Sequence, residues 1–224
     1  MVSEPGGLFI AGTDTGVGKT RIAAACIAKL AAQGRKVVGM KPVASGCPEH
    51  DNELCDDVRQ LVEVANVTAP LEWINPYRFM PPVAPHLAAQ QAGRLVSLTH
   101  IGECYGRLRG QAQVVVVEGV GGLLVPLNGT EDTADLARQL DVPVLLVVGL
   151  RLGCINHALL TVAAIQQRGL RLYGWIANAL EPAMLLQNEV VATLEQRIAA
   201  PLLAVLPYAP HASASELAGQ IRLP

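Results

Sequence analysis

A glycine-rich segment near the amino terminus combines residue types that can bind phosphate. Residues 12–20 are GTDTGVGKT, between a short apolar run and an alanine-rich run with helical spacing. Glycines allow successive backbone N–H groups to face one anion, and the N-terminus of a following helix favours negative charge. Lys19 would then lie along the β- and γ-phosphates of a nucleotide, and the Thr20 hydroxyl would be a magnesium ligand. The segment predicts a phosphate-binding loop that opens a helix.

The loop is a variant of the usual pattern. The strict pattern G-x-x-x-x-G-K-[ST] would place its first glycine at position 13, where this chain has Thr13, and Gly12 stands one place earlier. A glycine-rich turn with a chance lysine is the alternative interpretation. The predicted strand before the segment and the predicted helix after it favour the phosphate loop.

Acidic residues that could complete a magnesium site occur in two places. Glu118 follows the apolar run 114–117 and precedes GVGG, so its carboxylate would stand at a strand end beside flexible backbone. A solvated strand-end glutamate is the alternative there. Asp56 and Asp57 come just before a predicted helix, and for this pair capping of that helix is the simpler interpretation.

Lys41 ends the second apolar run, in the segment KPVASG at 41–46. We expect its strand to neighbour the first strand, which would direct the lysine toward the same ligand. A solvated lysine is an equally good interpretation of this position from the residues alone.

Apolar runs alternate with helical patterns along the chain. The runs are apolar throughout, as expected of strands whose two faces are both covered by helices. Strand–helix alternation implies right-handed crossovers and a mostly parallel sheet. We predict one three-layer α/β domain over residues 1–224, with helices on both faces of the sheet. The predicted strands are 8–11, 36–40, 114–117, 144–148, 172–177 and 202–206, and the predicted helices are 21–32, 58–64, 95–108, 133–140, 158–167 and 185–198.

Residues 46–85 form the least regular part of the pattern, with six prolines. We expect this segment to lie over the strand ends. Open α/β sheets bind ligands at the carboxyl ends of their strands, so the segment should border the site.

The composition excludes several classes of function. Of the 224 residues 51% are hydrophobic and 16% charged, with a net charge of -2, which indicates a large core and a modest charged surface. There is no basic run and no aromatic platform, so we expect no nucleic-acid partner. The longest apolar run, 142–150, is far shorter than the ~20 residues that span a bilayer. The N-terminus lacks a basic region, and we expect a cytoplasmic protein without a membrane partner.

The cysteines predict neither a zinc site nor a disulfide framework. Their number is odd, and no two form a C-x-x-C pair. Four of them are therefore expected to be free and mostly buried thiols. These four are Cys26, Cys47, Cys55 and Cys104.

Together these residues resemble the dethiobiotin synthetase family. The matching stretches run in family order across nearly the whole chain. KPVASG and LGCINH are far more specific than the phosphate loop, which many ATPases share. The stretches are GTDTGVGKT at 12–20, KPVASG at 41–46, NPY at 75–77, PH at 85–86, VEGVGG at 117–122, LGCINHALLT at 152–161, AN at 177–178 and APLLAVLP at 200–207.

The resemblance implies a P-loop NTPase-like fold and an ATP- and Mg²⁺-dependent ligase of biotin biosynthesis. ATP, CO2 and 7,8-diaminopelargonate would give dethiobiotin, ADP and phosphate. A carbamate of the diamine would attack the γ-phosphate, and the second amine would displace phosphate from the mixed anhydride to close a cyclic urea. Positioning and charge compensation should matter more than acid–base chemistry.

The resemblance also implies residue roles. Lys41, Lys19 and Thr15 would be catalytic, and the magnesium ligands would be Thr20, Asp57 and Glu118. Asp57 aligns better than Asp56 because Leu61 then falls at an apolar position of the family, although Cys55 stands where an asparagine is common. Nucleotide contacts would be Gly16, Val17, Gly18, Lys19, Thr20, Arg21, Asp57, Glu118, Gly119, Val120, Gly121, Asn178, Ala179, Pro207, Tyr208 and Ala209.

Substrate contacts are implied for Ser45, Gly153, Cys154 and Asn156. The last three resemble a loop that reaches the substrate carboxylate across the interface of a homodimer, with backbone N–H groups at a helix N-terminus as the donors. Cys154 would act through its backbone, and we expect no nucleophilic role for its thiol.

Three rival functions stay open at this stage. A regulatory ATPase switch of the chromosome-partitioning type shares a variant phosphate loop, but usually carries an extra lysine early in it, where this chain has none. An amidoligase would need a glutamine-hydrolysing domain, for which the chain shows no segment. A catalytically inactive binding module would not need Lys41 and Glu118 together with an intact phosphate loop.

Overall fold

The computed structural model of the chain describes residues 6–48 and 54–223. The part of the irregular segment at 49–53 lies outside the described residues. The elements, in chain order, are β1 (Gly7–Gly12), α1 (Lys19–Ala32), β2 (Val37–Met40), β3 (Val43–Ser45), α2 (Asp56–Val64), α3 (Leu71–Ile74), β4 (Tyr77–Phe79), α4 (Pro85–Gln91), α5 (Leu98–Arg109), β5 (Val114–Glu118), α6 (Thr133–Leu140), β6 (Val144–Leu150), α7 (Cys154–Gln167), β7 (Leu172–Ala179), α8 (Gln187–Arg197), β8 (Leu202–Leu206) and α9 (Ala214–Gln220).

Six strands of the described chain form a parallel sheet in the order β2-β5-β1-β6-β7-β8. Strands β3 and β4 form a separate parallel pair beside it. All strands of the main sheet point the same way, so their carboxyl ends share one edge. The loop after β1 and the residues that follow β2 and β5 therefore meet at that edge.

The core explains why the strands are apolar throughout. Successive side chains of a strand point to opposite faces of the sheet. Val115 and Val117 belong to the hydrophobic cluster on one face, and Val114 and Val116 to the cluster on the other. Helices cover both faces, so neither face of β5 can tolerate a polar residue until the strand ends at Glu118.

The predicted α/β class and the mostly parallel sheet are confirmed, and each predicted strand and helix overlaps an observed element. The predicted and observed boundaries of these elements differ by a few residues. Helix α7 begins at Cys154 rather than at 158, because Gly153 adopts a left-handed conformation with φ of 92° that starts the helix earlier. The sequence did not predict β3, β4, α3, α4 and α9, which are all short.

The expected position of β2 was wrong. This strand pairs with β5 and not with β1, because the connection through α1 passes over β5 to the edge of the sheet. Met40 lies opposite Val117 in the register, so Lys41 and Glu118 leave the sheet side by side. Lys41 therefore contacts Glu118, and Glu118 in turn contacts Thr20 at the end of the phosphate loop.

The expectation of free thiols was wrong for two cysteines. Cys47 and Cys55 form a disulfide, with Cα atoms 4.7 Å apart. Cys47 follows β3, and Cys55 is the N-terminal cap residue of α2. Folding brings these two positions together, which their spacing in the sequence did not indicate. Cys26, Cys104 and Cys154 are free and buried.

The disulfide makes a simple prediction about thiol chemistry. Protein purified without reductant and denatured under non-reducing conditions should expose three alkylatable thiols, and five after reduction, since two of the five cysteines are bonded. Mass spectrometry after iodoacetamide treatment checks the count. The Cys47→Ser variant is the control, and it should show four thiols without reduction. Five thiols in the unreduced protein would contradict the bond.

Candidate nucleotide-binding and catalytic site

A cavity of about 660 Å³ opens at the carboxyl ends of β1, β2 and β5. One wall comes from the phosphate loop, a second from the residues after β2 and β5, and a third from the proline-rich segment before α4. Its lining contains many of the residues singled out in the sequence: Thr15, Gly16, Gly18, Lys19, Thr20, Arg21, Lys41, Ser45, Asp57, Glu118, Val120 and Gly121.

The phosphate loop is held in one conformation by tight packing. Gly18 has a φ of 94°, and a Cβ atom there would stand 2.5 Å from the side-chain amide nitrogen of Asn178. That amide donates a hydrogen bond of 2.9 Å to the carbonyl oxygen of Val17. A larger residue at position 18 would therefore displace Asn178 and strain the backbone.

Lys19 lies at the first position of α1 and is largely buried. Its Nζ donates a hydrogen bond of 2.9 Å to the backbone oxygen of Asp14. Burial, together with the nearby Lys41 ammonium, lowers the pKa of Lys19 to about 8. A cation that is desolvated and close to another cation attracts an anion strongly, which suits the binding of phosphate.

Four side chains meet beside the loop. The Nζ of Lys41 lies 2.6 Å from Oε1 of Glu118 and 2.7 Å from Oδ2 of Asp57. The hydroxyl oxygen of Thr20 lies within hydrogen-bond distance of both carboxylates, 2.8 Å from Glu118 and 3.0 Å from Asp57, and its single proton can be donated to one of them at a time. Lys41 and Glu118 are almost fully buried, whereas the side chain of Asp57 is 43% exposed toward the cavity.

The ionisation of this group follows from burial and mutual attraction. Burial opposes the charge on Lys41, but Glu118 and Asp57 outweigh it and raise the lysine pKa above its ordinary value. Burial likewise opposes ionisation of Asp57, but the Lys41 ammonium and the hydrogen bonds outweigh it and lower the pKa of that carboxyl. Burial raises the pKa of Glu118. Asp57 and Lys41 are therefore charged at neutral pH.

The donor set fits a magnesium ion. A threonine hydroxyl and two carboxylates are hard oxygen ligands, which Mg²⁺ prefers. One carboxylate oxygen of Glu118, Oε2, is buried and has no hydrogen-bond partner in the described part of the chain. A buried anionic oxygen without a partner is unfavourable unless a cation or another donor reaches it.

Asp57 and Asp56 differ sharply in their surroundings. Asp56 is exposed and forms an ion pair with Arg59 at 3.1 Å, one turn along α2. Neither aspartate caps the helix, because Cys55 occupies the cap position and makes no side-chain cap bond. The capping interpretation was wrong, and the geometry favours Asp57 over Asp56 as the residue that faces the cavity.

Asn75 was not singled out as a site residue, although it belongs to the matching stretch NPY. It is almost fully buried, and its amide donates to the backbone oxygen of Lys41 at 2.6 Å. The N–H of Lys41 in turn donates to Ile74 at 2.8 Å. These contacts hold the backbone of the lysine where β2 ends. Other cavity residues missed in the sequence are Gln60, Pro82, Val83, Ala84, Pro85 and Val125.

A group of the implied nucleotide contacts lies around the loop rather than in the cavity. Arg21 donates to the backbone oxygen of Ala209, in the segment after β8. In the described part of the chain, the following do not line the cavity: Val17, Gly119, Asn178, Ala179, Pro207, Tyr208 and Ala209. Asn178 and Ala179 end β7, and Tyr208 is 44% exposed.

The segment at the start of α7 is also outside the cavity of its own chain. Leu152 is 98% exposed, and Gly153 and Asn156 are exposed as well, while the Cys154 side chain is buried. These residues do not meet Ser45 within the described part of one chain. No group of three histidine, cysteine or acidic side chains that could hold a metal occurs among the described residues. No helix of that part is long and apolar enough to cross a membrane.

Comparisons with known sequences agree on one family. A family model described as an AAA domain matches residues 6–216. The ATP-dependent dethiobiotin synthetase BioD of Nitrosospira multiformis is 49% identical over 94% of this chain and 92% of its own length. The protein of the same name from Aromatoleum aromaticum is 49% identical over the full length of both chains. That from Xanthomonas oryzae pv. oryzae is 46% identical over 99% of each.

Solved structures share the fold at low sequence identity. The cell division protein MinD of Aquifex aeolicus covers 94% of this chain and 86% of its own, with a TM-score of 0.57 and 18% identity. Chloroplast FtsY from Physcomitrella patens covers 97% of this chain and 66% of its own, with a TM-score of 0.55 and 18% identity. These likenesses support the P-loop NTPase-like sheet and nothing more specific.

Proposed function

This chain belongs to the dethiobiotin synthetase family, and we propose that it closes the cyclic urea of dethiobiotin from 7,8-diaminopelargonate, CO2 and ATP. The enzyme is an ATP-dependent carbon–nitrogen ligase of biotin biosynthesis. The observation that carries the assignment of the site is the meeting of Lys41, Glu118, Asp57 and Thr20 beside the phosphate loop.

Charge explains why the reaction needs these residues. The diamine forms an N–C bond to CO2 and loses a proton, which gives an anionic carbamate. A carbamate oxygen must then approach the γ-phosphate, which is already negative. Lys41 and Lys19 would lie beside the two anions and offset their repulsion. Attack breaks the bond between the γ-phosphorus and the bridging oxygen, and ADP leaves.

Ring closure depends on positioning. The second amine attacks the carbamoyl carbon of the mixed anhydride, phosphate leaves, and a proton is released from the amine. Both amines must be held near one carbon, and a bound geometry of this kind replaces most of the entropic barrier. We assign the polar contacts to Thr15 and Ser45, which line the same cavity as Lys41.

Magnesium would be held by Thr20, Asp57 and Glu118. Bound there, it would offset negative charge on the β- and γ-phosphate oxygens. Lys41 and the Thr20 hydroxyl both contact the same two carboxylates. Thr20 keeps the carboxylates oriented, and Lys41 lowers the pKa of Asp57.

The adenosine would extend from the phosphate loop toward the ends of β7 and β8. Asn178 would read the base, and Pro207, Tyr208 and Ala209 would form the wall on which it lies. The contact between Arg21 and Ala209 supports this proposal, because it joins the first turn of α1 to that wall.

The substrate carboxylate would be bound by a second copy of this chain. We propose a homodimer in which the N-terminus of α7, with Gly153, Cys154 and Asn156, reaches the partner's cavity. A helix N-terminus favours an anion. The exposure of Leu152, together with Leu160 at 63%, supports an apolar contact there. Sedimentation equilibrium should give twice the chain mass of 23.6 kDa.

The test of the function is turnover by the purified protein with ATP, Mg²⁺ and bicarbonate, with and without 7,8-diaminopelargonate. Phosphate release and dethiobiotin should appear together, in equal amounts, and only with the diamine. Equal phosphate release with and without the diamine would mean that the protein hydrolyses ATP but does not use this substrate. Phosphate release that requires a macromolecule and not the diamine would favour the regulatory ATPase switch.

The two neighbouring aspartates provide a matched test of the metal site. Asp57→Asn should raise the Mg²⁺ concentration for half-maximal turnover about 10-fold or more, because a charged ligand is lost. Asp56→Asn, which removes an exposed carboxylate that pairs with Arg59, should leave this concentration unchanged. Calorimetric measurement of Mg·ADP binding should show weaker affinity in Asp57→Asn and unchanged affinity in Asp56→Asn. Equal or reversed effects would remove Asp57 from the metal site.

A further inference from the structure

Asp14 and Arg151 form an ion pair that joins the phosphate loop to the segment before α7. Neither residue lines the cavity in the described part of the chain, and the roles derived above do not use them. Both side chains are 43% exposed. Ion pairs with this exposure contribute little to stability. Removal of the pair should therefore leave the fold nearly unchanged, so a specific role can be measured.

On the phosphate-loop side, Asp14 makes two contacts. Its Oδ1 accepts a hydrogen bond of 2.7 Å from the backbone N–H of Thr15. Its own backbone oxygen accepts the bond from Nζ of Lys19. The N–H of Thr15 and the Arg151 guanidinium lower the pKa of the Asp14 carboxyl, so it is charged. Asp14 therefore sets the position of a cavity residue and of the loop lysine at once.

On the other side, Arg151 follows β6 and stands three residues before the start of α7. Its backbone oxygen accepts a hydrogen bond of 3.0 Å from the N–H of Cys154, the first residue of that helix. A continuous line of contacts thus runs from Nζ of Lys19 through Asp14 and Arg151 to the N-terminus of α7. One end lies at the proposed phosphate site, and the other at the proposed carboxylate site.

We propose that Asp14 and Arg151 are positioning residues that couple nucleotide binding at the phosphate loop to anion binding at the N-terminus of α7. This inference rests on the proposed function, which assigns the substrate carboxylate to that terminus. Occupation of either end restricts the segment that the pair holds, and so reduces the ordering needed at the other. In the homodimer, the α7 terminus of one subunit serves the partner's cavity, so the pair would link the two sites. Thermodynamics requires that the nucleotide change the affinity for the diamine by the same factor by which the diamine changes the affinity for the nucleotide.

The experiment measures the affinity of a non-hydrolysable ATP analogue with Mg²⁺, without and with saturating 7,8-diaminopelargonate. In the unaltered protein the diamine should strengthen analogue binding about 5- to 10-fold, a usual size of coupling between sites. In Asp14→Asn and in Arg151→Gln, the ratio of analogue affinity with the diamine to analogue affinity without it should fall close to 1. The double variant should resemble either single variant, because both remove the same link. Arg151→Lys, which keeps the charge, should restore part of the ratio.

The matched control is Arg168→Gln, at the other end of α7. Arg168 pairs with Asp132 at 2.6 Å, and its side chain is 34% exposed, but it lies away from the cavity. This variant should keep the full ratio. The Asp14 and Arg151 variants should unfold within about 3 °C of the unaltered protein, because exposed ion pairs contribute little to stability. Arg168 also pairs with Asp135, and both partner carboxylates are largely buried, so the control variant is compared at a temperature where it remains folded.

Several outcomes would overturn the proposal. A ratio near 1 in the unaltered protein would mean that no coupling exists. Additive losses in the double variant would mean that the residues act separately. If Arg151→Gln raises the KM for the diamine and Asp14→Asn does not, Arg151 contacts the substrate itself. Failure of the proposed function shows differently: no dethiobiotin forms, while the two single variants can still be compared for ADP affinity, where an equal loss of about 3-fold or more would support their action on the loop.

Discussion

Replacement of Lys41 by glutamine should reduce turnover by about 10² or more, because an ammonium that offsets developing negative charge is lost from a buried site. Glutamine keeps a hydrogen-bond donor of similar length but carries no charge. Lys41 stands between Glu118 and Asp57 and is almost fully buried, so solvent cannot compensate for the loss of its charge at that position. Steady-state measurement of diamine-dependent phosphate release checks the prediction.

A matched lysine lies at the other end of the same strand. Lys36 precedes β2 and is exposed, whereas Lys41 follows the strand and faces the cavity. Lys36→Gln should therefore keep normal turnover. Loss of one partner from a buried ion pair can destabilise a fold by about 3–5 kcal/mol. Thermal unfolding of the Lys41→Gln variant separates this effect from catalysis, with assays at a temperature where it remains folded. Near-normal turnover would exclude Lys41 from the mechanism.

Replacement of Glu118 by glutamine should reduce Mg²⁺-dependent turnover by about 10²–10³, the range found when one group that stabilises the transition state is removed. The substitution keeps the shape of the side chain and one carbonyl oxygen toward Lys41 and Thr20. It removes the negative charge and changes the buried Oε2, which has no hydrogen-bond partner among the described residues. The loss should therefore fall mainly on metal-dependent steps.

Binding measurements distinguish this role from general damage to the site. Affinity for Mg·ADP should fall strongly in Glu118→Gln, while affinity for ADP in the presence of EDTA should change little or improve. Glu195→Gln on α8, where the glutamate is exposed, is the control with the same chemical change. If both affinities fall equally, Glu118 supports the nucleotide site as a whole and does not act through the metal.

The sequence was sufficient where the chemistry lies in consecutive residues. The phosphate loop was recognisable because its backbone N–H groups, Lys19 and Thr20 come from one turn between a strand and a helix. The buried strands were recognisable because a parallel sheet covered on both faces requires continuous apolar runs. The specific stretches KPVASG and LGCINH then identified the family, which the comparisons confirmed.

Only the tertiary structure decided how distant segments combine. Strand pairing is a contact between residues far apart in the chain, so the sequence did not reveal that β5 separates β1 from β2. That order places Glu118 between Lys41 and the loop. The orientation of α2 decided between Asp56 and Asp57, and the packing of the end of β3 beside the start of α2 joined Cys47 to Cys55. Local patterns record what a residue can do, whereas packing between distant segments determines which residues it meets.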